Sequence, residues 1–383
     1  MRKTFSLAAV ICALMLQGCL VTPTGAAADA SVLQGRFLDI PERDHGSTLI
    51  KQLEFSPDGR HLLLTGGIGY VDLYDTESGA VVWSLDKIEA IFMNAGFIDD
   101  ETFFIGMRFY EDAHATNSRE NVRRLSIRKV STPDHEEEAA LFPDGRSYPM
   151  IANGNFVYYD AQLLDRRDGR IHPVVISHLS NARGRLTRSG KVLTEVQGQA
   201  VLYDYATEDY LHWCADCRPS IFTRAGGAYD ITASERFVVS YSSRGDCYAW
   251  ALPTTESIGR CGYSGLFRTE PPVVRAHPVR DRVAVAWGPH LQVYDLDPFR
   301  KVFEQRLDGR VSGVALSNGN TLAAALPGGR ILVWNLDDGR LLGQHDLDYE
   351  DRFSLFNDRL AFSPDGRQLL TGFHAPILLE IPQ

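Results

Sequence analysis

Apolar and polar residues alternate along most of this chain, in short runs that are separated by turn residues. The clearest run ends at Phe55-Ser56-Pro57-Asp58-Gly59-Arg60 and resumes at Leu62-Leu63-Leu64-Thr65-Gly66. Pro presets φ, Asp bonds to its own backbone and Gly accepts a positive φ, so this stretch predicts a β-hairpin. Nearly the same stretch returns at Phe362-Ser363-Pro364-Asp365-Gly366-Arg367. Such recurrence indicates a repeat architecture.

Eight such units can be aligned on the last apolar residue before the first turn. These anchor residues are Phe55, Phe97, Phe142, Leu186, Ile231, Ala276, Leu316 and Phe362. Their mean spacing is about 44 residues, which is the period of four-stranded propeller blades. Period-2 alternation with frequent turns is typical of all-β proteins. The pattern therefore predicts an all-β propeller of eight four-stranded blades, with seven blades as the alternative.

The third strands of several units end in an aromatic residue followed by Asp or Asn. These ends are Tyr74-Asp75, Tyr203-Asp204, Tyr294-Asp295 and Trp334-Asn335. In them the chain resembles the WD-repeat and related β-propeller families, over roughly residues 32–383. The segment Asp75–Trp83 looks like a blade of the pyrroloquinoline-quinone type. The resemblance implies a single propeller domain over residues 32–383.

The last unit has three strands and then the chain stops, which would leave an open sheet edge. The alternating stretch Val32–Ile40 precedes the first unit and has no place in it. We therefore expect this N-terminal stretch to supply the fourth strand of the last blade. The ring would then be closed by N- and C-terminal strands that lie in one sheet.

The N-terminus has the form of a secretory signal. Met1-Arg2-Lys3 is a short basic head, and Thr4–Leu16 is an apolar run too short for a lasting transmembrane helix. The ending Leu16-Gln17-Gly18-Cys19 resembles the lipobox of bacterial lipoproteins. That resemblance implies a signal peptide over residues 1–18, acylation of Cys19, and a lipidated tether over residues 19–31. Because Leu20 follows the Cys, it also implies the periplasmic side of the outer membrane.

Acylation and net charge limit the kinds of partner that this protein can have. One acyl chain holds a protein only reversibly, whereas the three chains of a mature lipoprotein anchor it stably to the membrane. Loss of Arg2 and Lys3 with the signal peptide changes the formal net charge from −10 to −12. This acidity argues against nucleic acid as a partner.

Four cysteines remain besides Cys12 and Cys19. Cys214-Ala215-Asp216-Cys217 has neither the strand-to-helix setting of a thioredoxin motif nor the following His of a haem site. An oxidising periplasm favours two structural disulfides, Cys214–Cys217 and Cys247–Cys261. Cys247 and Cys261 lie symmetrically about the turn at residue 254, which places them opposite each other in neighbouring strands. The sequence predicts no metal site and no cofactor, since nucleophile, zinc and nucleotide motifs are missing.

Long connections fall between second and third strands and between blades, and both kinds open on the same face of a propeller. Long loops on a rigid scaffold are where function concentrates. They carry residues suited to anchor an interface, although they could merely cover the channel mouth. The candidate partner-binding residues are Tyr110, Phe222, Tyr263, Phe267, Arg268, Tyr349 and Phe353.

The leading hypothesis is therefore a non-enzymatic, lipid-anchored propeller that binds another envelope protein as a scaffold. The alternative is a propeller enzyme or small-ligand binder that uses the central channel, for instance with lactonase-like or quinone-dependent activity. Such enzymes gather carboxylates, His or Asn around a metal or cofactor, and the sequence alone assembles no such set.

Overall fold

The strands of this chain form eight separate sheets, as a computed structural model shows. The structure describes residues 31–38, 41, 50–66, 69–86, 90–110, 121–142, 151–159, 162–174, 185–196, 199–212, 229–241, 247–262, 272–347, 360–372 and 376–382. Within these ranges every regular element is a β-strand. The described residues accordingly include no helix with the length and hydropathy needed to cross a membrane.

Two short strands lead into the first sheet, and each of blades 1–4 then takes four strands in chain order. The leading strands are β1 (Ser31–Val32) and β2 (Gly35–Phe37). Blade 1 consists of β3 (Ile50–Phe55), β4 (His61–Gly66), β5 (Tyr70–Asp75) and β6 (Val81–Asp86). Blade 2 consists of β7 (Ala90–Phe97), β8 (Thr102–Tyr110), β9 (Asn121–Lys129) and β10 (Thr132–Phe142).

Blades 3, 4 and 5 repeat the same antiparallel order. Blade 3 consists of β11 (Ile151–Asn153), β12 (Phe156–Tyr159), β13 (Gln162–Asp165) and β14 (Arg170–Pro173). Blade 4 consists of β15 (Arg185–Leu186), β16 (Val192–Val196), β17 (Gln199–Asp204) and β18 (Asp209–His212). Blade 5 consists of β19 (Tyr229–Ile231), β20 (Phe237–Tyr241), β21 (Cys247–Ala251) and β22 (Glu256–Cys261).

Blades 6 and 7 complete the regular series, and blade 8 has three strands of its own. Blade 6 consists of β23 (Val273–Ala276), β24 (Arg282–Trp287), β25 (His290–Leu296) and β26 (Phe299–Arg306). Blade 7 consists of β27 (Gly313–Leu316), β28 (Thr321–Ala325), β29 (Arg330–Asn335) and β30 (Leu341–Asp346). Blade 8 consists of β31 (Ala361–Phe362), β32 (Gln368–Gly372) and β33 (Pro376–Glu380). The prediction of an eight-bladed, all-β propeller is confirmed.

The turn after the first strand is held by a buried hydroxyl group. In blade 1, Ser56 Oγ donates to Asp58 Oδ1 (2.6 Å) and accepts from the His61 N–H (2.9 Å). Ser363 in blade 8 makes the same two bonds, to Asp365 Oδ1 (2.6 Å) and from the Gln368 N–H (2.9 Å). This network explains why the sequence unit recurs: the serine hydroxyl, buried in both turns, accepts the backbone N–H that leads into the second strand and would otherwise lack this partner.

The core lies between the blades. The first strand of nearly every blade contacts the first strand of the next one around a closed ring, and blades 4 and 5 meet through the ion pair Arg185–Asp230. Buried apolar clusters span neighbouring blades, such as Leu125 with Val157 between blades 2 and 3. Each sheet therefore buries both faces only when both neighbours are present.

Pairing of β2 with β33 closes the ring. The register is antiparallel, with Gly35 opposite Leu379 and Phe37 opposite Ile377. A Cβ atom at Gly35 would lie 2.8 Å from Leu379 Cδ2 and 2.9 Å from Ile377 Cγ2, so a larger residue here would have to displace these side chains. The predicted closure by N- and C-terminal strands is thus confirmed.

A second N-terminal pairing reaches the neighbouring blade. Strand β1 runs parallel to β30 and makes blade 7 five-stranded, with Ser31 opposite Gly343. Between β1 and β2, Leu33 is 2% exposed and packs in one cluster with strands of blades 7 and 8. The N-terminal segment therefore fastens two adjacent blades, whereas the sequence pattern predicted contact with one.

One anchor residue was wrongly assigned from the sequence. Phe142 is the last residue of β10 and pairs with Arg123 of β9, so it ends blade 2. The first strand of blade 3 is β11, which turns at Gly154 (φ 58°). Residues 132–138 belong to β10 for the same reason and do not connect two blades. Turn chemistry marks the end of any strand, and only the pairing partner shows which strand it is.

A disulfide joins the third and fourth strands of blade 5. Cys247 and Cys261 are register partners, and their Cα atoms are 4.8 Å apart. Both residues are fully buried, in a cluster with Tyr241 and Tyr294 between blades 5 and 6. The predicted pairing of these two cysteines is confirmed.

Removal of the closing strands should destabilise the propeller strongly. A chain that lacks residues 31–44 loses β1, β2 and the burial of Leu33 and Leu38, at about 1.5–3 kcal/mol for each leucine. It also leaves β33 as an open edge. We expect a clearly lower urea midpoint than that of the same chain carrying these residues. Equal midpoints would show that the ring closes without them.

Loss of the blade 5 disulfide should lower stability by about 3 kcal/mol, because it closes a loop of about 15 residues. The predicted Cys214–Cys217 bridge would contribute only about 2 kcal/mol in the same chain-entropy treatment. Cys247→Ser should therefore lower Tm more than Cys214→Ser under non-reducing conditions. Peptide mapping without reductant checks the pairing, and a Cys214–Cys247 crosslink would contradict it.

Candidate functional site

The two faces of the propeller differ in their connections. Because successive strands are antiparallel, the second-to-third and blade-to-blade connections share one face, which we call the loop face. The other two turns of each blade form the turn face. Tyr110 is the last residue of β8, at the loop-face end of blade 2. The other predicted partner-binding residues lie outside the described residues: Phe222, Tyr263, Phe267, Arg268, Tyr349 and Phe353.

Three predicted cysteine sites also fall outside the described residues, namely Cys19, Cys214 and Cys217. Their acylation and pairing stay predictions. Of the predicted site residues, Cys247 and Cys261 are the pair that the structure brings together.

The strands of blade 2 extend farther toward the loop face than those of blade 3. Its strands β8, β9 and β10 contain 9, 9 and 11 residues, whereas β12, β13 and β14 of blade 3 contain 4 each. The turn-face ends of β8 and β9 are in register at Thr102 and Lys129, and pairing continues to Tyr110 and Asn121. The additional length therefore projects toward the loop face.

On the turn face, polar side chains join consecutive blades. The cross-blade pairs are Ser189–Glu235, Arg236–Asp281, His277–Gly319 and Asn318–Pro364, which run from blade 4 to blade 8. Among them, Arg236–Asp281 is a surface ion pair, of a kind that contributes little stability, with a median below about 1 kcal/mol, whereas His277 is 1% exposed. The role of these pairs is to fix the rotation of each blade relative to the next.

A carboxylate between blades 3 and 4 is the most strongly held group on this face. Asp165 is 2% exposed and accepts from Arg167 Nη2 (2.5 Å) and from Tyr205 Oη (2.9 Å). The Arg167 hydrogen bond is the main cause that lowers the pKa of Asp165 far below its usual range. The bond to Asp165 in turn raises the pKa of Tyr205. Asp165 therefore stays ionised and works as a fixed link between two blades.

Charged residues also occur on the inner ring, one residue before the anchor in several first strands. We call this position the inner belt. In ring order from blade 1 to blade 8 it is occupied by Glu54, Gly96, Ala152, Arg185, Asp230, Arg275, Ala315 and Ala361. Three consecutive blades thus contribute charged side chains, and Glu54 comes from the blade opposite Asp230. This set does not stand out in the sequence, because the three charged residues of blades 4, 5 and 6 are 45 residues apart in the chain, near the propeller period.

We call the three charged belt residues of blades 4, 5 and 6 the charged arc: Arg185, Asp230 and Arg275. Asp230 lies at its centre. Its carboxylate accepts from the Ile231 N–H (3.0 Å) and from the Ala276 N–H of the next blade (2.9 Å). Arg185 Nε of the preceding blade is 3.3 Å from Asp230 Oδ1. Asp230 therefore links the first strands of blades 4, 5 and 6.

Glu54 makes the same contact between blades 1 and 2. Its Oε1 accepts from the Phe97 N–H (3.2 Å), and its Oε2 accepts from Gln52 Nε2 (3.3 Å). A Cβ atom at Gly96 would lie 2.9 Å from Glu54 Oε2, so glycine makes room for the carboxyl group. Desolvation by burial raises the pKa of Glu54 to about 7, against the two hydrogen bonds that lower it.

Comparison with known proteins gives the fold alone. No protein-family model and no curated protein matches the chain. The crystal structure of the computationally designed Ika8 protein is similar, with a TM-score of 0.63 and 15% sequence identity, covering 88% of this chain and 97% of that one. Among the described residues, no group of three His, Cys, Asp or Glu side chains is placed to hold a metal ion.

Glu54 should make stability depend on pH. Because burial raises its pKa from 4.5 to about 7, the folded state favours the protonated form. Its contribution to stability is full below about pH 4.5 and is lost as pH rises through about 7, with a total of about 3 kcal/mol. Glu54→Gln should match the unmodified protein at pH 4 and be more stable at pH 8 in urea unfolding. Glu380→Gln, on an exposed carboxylate, is the control and should show no such difference. An equal pH profile for Glu54→Gln and the unmodified protein would contradict the assignment.

Proposed function

We propose that this β-propeller is a lipid-anchored, periplasmic scaffold that binds another protein of the bacterial envelope through its loop face. The role requires no catalytic chemistry. It requires a rigid frame, a surface that stands out from it, and attachment to the membrane.

The observation that carries the proposal is the projection of blade 2. Strands β8 and β9 remain paired as far as Tyr110 and Asn121, beyond the length of blade 3. A paired ribbon presents its outer end at a defined position, and an aromatic residue there is of the type that dominates interface energies. The long connections of the sequence leave the propeller on this same face.

The contacts between blades on the turn face also support the proposal. Its turns are short, and cross-blade pairs such as Arg236–Asp281 fix each blade against the next. Fixed blades hold the loop-bearing ends in constant relative positions, which lowers the entropy cost of binding a partner.

The position of β1 is compatible with a membrane tether. Strand β1 begins at Ser31, twelve residues after Cys19. An extended segment of that length spans about 40 Å. A propeller attached through Cys19 would therefore stay close to the bilayer and still be able to turn its loop face toward a membrane-bound partner.

A second candidate function is binding of a small ligand in the central channel. The inner belt favours it, because Arg185, Asp230 and Arg275 bring charge to one side of the ring. This function does not exclude the scaffold role, since the belt and the loop-face surface use different residues.

Two substitutions test the scaffold proposal. Cys19→Ser should release the protein from the membrane fraction or leave the precursor unprocessed, and mass spectrometry of the N-terminal peptide should show lipid on Cys19. Tyr110→Ala should reduce recovery of a crosslinked envelope partner several-fold without changing Tm. Arg340→Ala, at an exposed position on the turn face, is the matched control and should leave recovery unchanged.

The opposite pattern would overturn the proposal. Recovery lost with Arg340→Ala and kept with Tyr110→Ala would place the interface on the turn face. A mature chain that begins after Ala28 would end the lipoprotein hypothesis.

A further inference from the structure

We infer that the outer edge of blades 7, 8 and 1 lies against the lipid bilayer, an inference that rests on the proposed membrane attachment through Cys19. The contact is made by three exposed apolar side chains, which we call the rim patch: Val32, Phe37 and Val82. It determines how the propeller is oriented at the membrane, which attachment through a tether alone leaves open.

The members of the rim patch are exposed apolar residues on adjacent outermost strands. Val32 (75% exposed) lies in β1, Phe37 (65%) in β2 and Val82 (53%) in β6. These are the outermost strands of blades 7, 8 and 1, which are neighbours in the ring. Of the described residues, two further large apolar side chains are exposed, and they lie apart from the patch: Ile171 on blade 3 and Val279 on blade 6. Single exposed apolar residues are common, whereas a group on neighbouring elements marks an interaction surface.

Backbone and side-chain bonds join the three outermost strands into one edge. The Leu33 N–H, in the two-residue link between β1 and β2, donates to the Gln344 carbonyl oxygen of blade 7 (2.8 Å). Arg36 of β2 donates to the carbonyl oxygens of Thr76 (2.8 Å) and Glu77 (2.9 Å). Those two residues lie in the turn of blade 1 that leads into β6. The rim patch therefore belongs to a continuous and fixed part of the surface.

The outermost strand of blade 6 shows a different composition. The exposed positions of β26 are all charged or polar: Arg300, Lys301, Glu304, Gln305 and Arg306. Charged side chains of this kind keep an outer strand in water and protect its edge from pairing. Strands β1 and β2 contain one charged residue, Arg36, and its guanidinium is bonded to blade 1. The edge at blades 7, 8 and 1 is thus suited to an apolar environment.

The path of the chain favours a bilayer as that environment. Strand β1 begins at Ser31, directly before Val32 and twelve residues after Cys19. An extended segment of that length spans about 40 Å. A lipid anchor on Cys19 would therefore hold the rim patch at a high effective concentration near the membrane surface. Under that condition a small apolar contact is sufficient, because it only has to add to the anchor.

Net charge indicates that the contact is apolar and not electrostatic. The chain has a formal net charge of −10, so anionic headgroups would not attract it. Attraction between exposed charges weakens with salt, whereas burial of apolar side chains does not depend on it in this way. The contact should therefore form on a zwitterionic lipid and persist at high salt.

Contact through outermost strands gives the propeller a defined orientation. These strands lie farthest from the propeller axis, so the axis would run parallel to the membrane plane. The loop face and the turn face would then both point sideways along the membrane. Blade 2, whose extended strands end at Tyr110, is the neighbour of blade 1. Its projecting end would therefore be accessible to a partner held in the same membrane.

The test attaches the protein to a bilayer without acylation. A His tag replaces residues 1–19, and the rest of the chain is bound to phosphatidylcholine vesicles that contain a small fraction of nickel-chelating lipid. Phe37→Trp introduces an indole in the rim patch, and brominated acyl chains quench an indole that they contact. Ile171→Trp, on the outermost strand of blade 3, is the matched control. The unmodified protein, which has five tryptophans, supplies the background that is subtracted from each signal.

Brominated lipid should quench the added fluorescence of Phe37→Trp severalfold more than that of Ile171→Trp, at low and at high salt. Equal quenching of the two variants would overturn the inference, as would quenching that high salt abolishes. A shift of the Phe37→Trp emission that needs no lipid and grows with protein concentration would also overturn it, because the patch would then be covered by a second copy of the chain.

Further substitutions locate the contact. In the Phe37→Trp protein, Val32→Asp together with Val82→Asp should reduce the quenching severalfold, because a carboxylate resists transfer into the bilayer. Val279→Asp, at an exposed valine outside the patch, should leave it unchanged. Undiminished quenching in the double variant would overturn the assignment to the rim patch, and Tm values show that each variant is folded.

The artificial tether also separates this inference from the lipoprotein hypothesis. Attachment through the tag does not depend on acylation, so quenching reports on the rim patch alone. Mass spectrometry of Cys19 reports on the anchor alone. Failure of one and failure of the other are therefore distinguishable results.

Discussion

Closure of the ring by β2 and β33 is the constraint on which the rest of the structure depends. Each blade buries its faces only against two neighbours, and the channel wall exists only if the first strands form a complete circle. Gly35 permits the close approach to Leu379 that this pairing needs, and β1 extends the fastening to blade 7. A short stretch at the start of the domain thus determines whether the other blades are stable.

Sequence reasoning succeeded where the physical cause is local. The turn at Ser56–Arg60 repeats at Ser363–Arg367 because a buried serine hydroxyl and an aspartate carboxylate accept the same backbone N–H groups in both, so the repeat, its period and the closing strand could be predicted. It failed at Phe142 because a strand followed by a turn looks the same in any position of a blade. Nor could it predict the pairing of β1 with β30, since two residues carry too little pattern.

The inner belt could not be found from the chain for a different reason. In the sequence the three charges look isolated: Arg185, Asp230 and Arg275. They come close in the fold because each lies in the first strand of its blade, and the first strands of blades 4, 5 and 6 are neighbours. A correct alignment of the anchors would have placed all three at the same position. That signal is present for blades 4, 5 and 6, whereas at blade 3 the misplaced anchor would have put Leu141 in the belt instead of Ala152.

One hydrogen bond that is repeated between blades has different surroundings on the two sides of the channel. Glu54 and Asp230 each accept a hydrogen bond from the anchor residue of the next blade, at Phe97 and Ala276. Asp230 also has Arg185 beside it, whereas the described donors to Glu54 are neutral groups, and burial raises its pKa to about 7. A fold built from repeats is close to symmetric, and a symmetric channel cannot orient an asymmetric ligand. Different neighbours around one repeated contact supply the asymmetry without disturbing the packing of the blades.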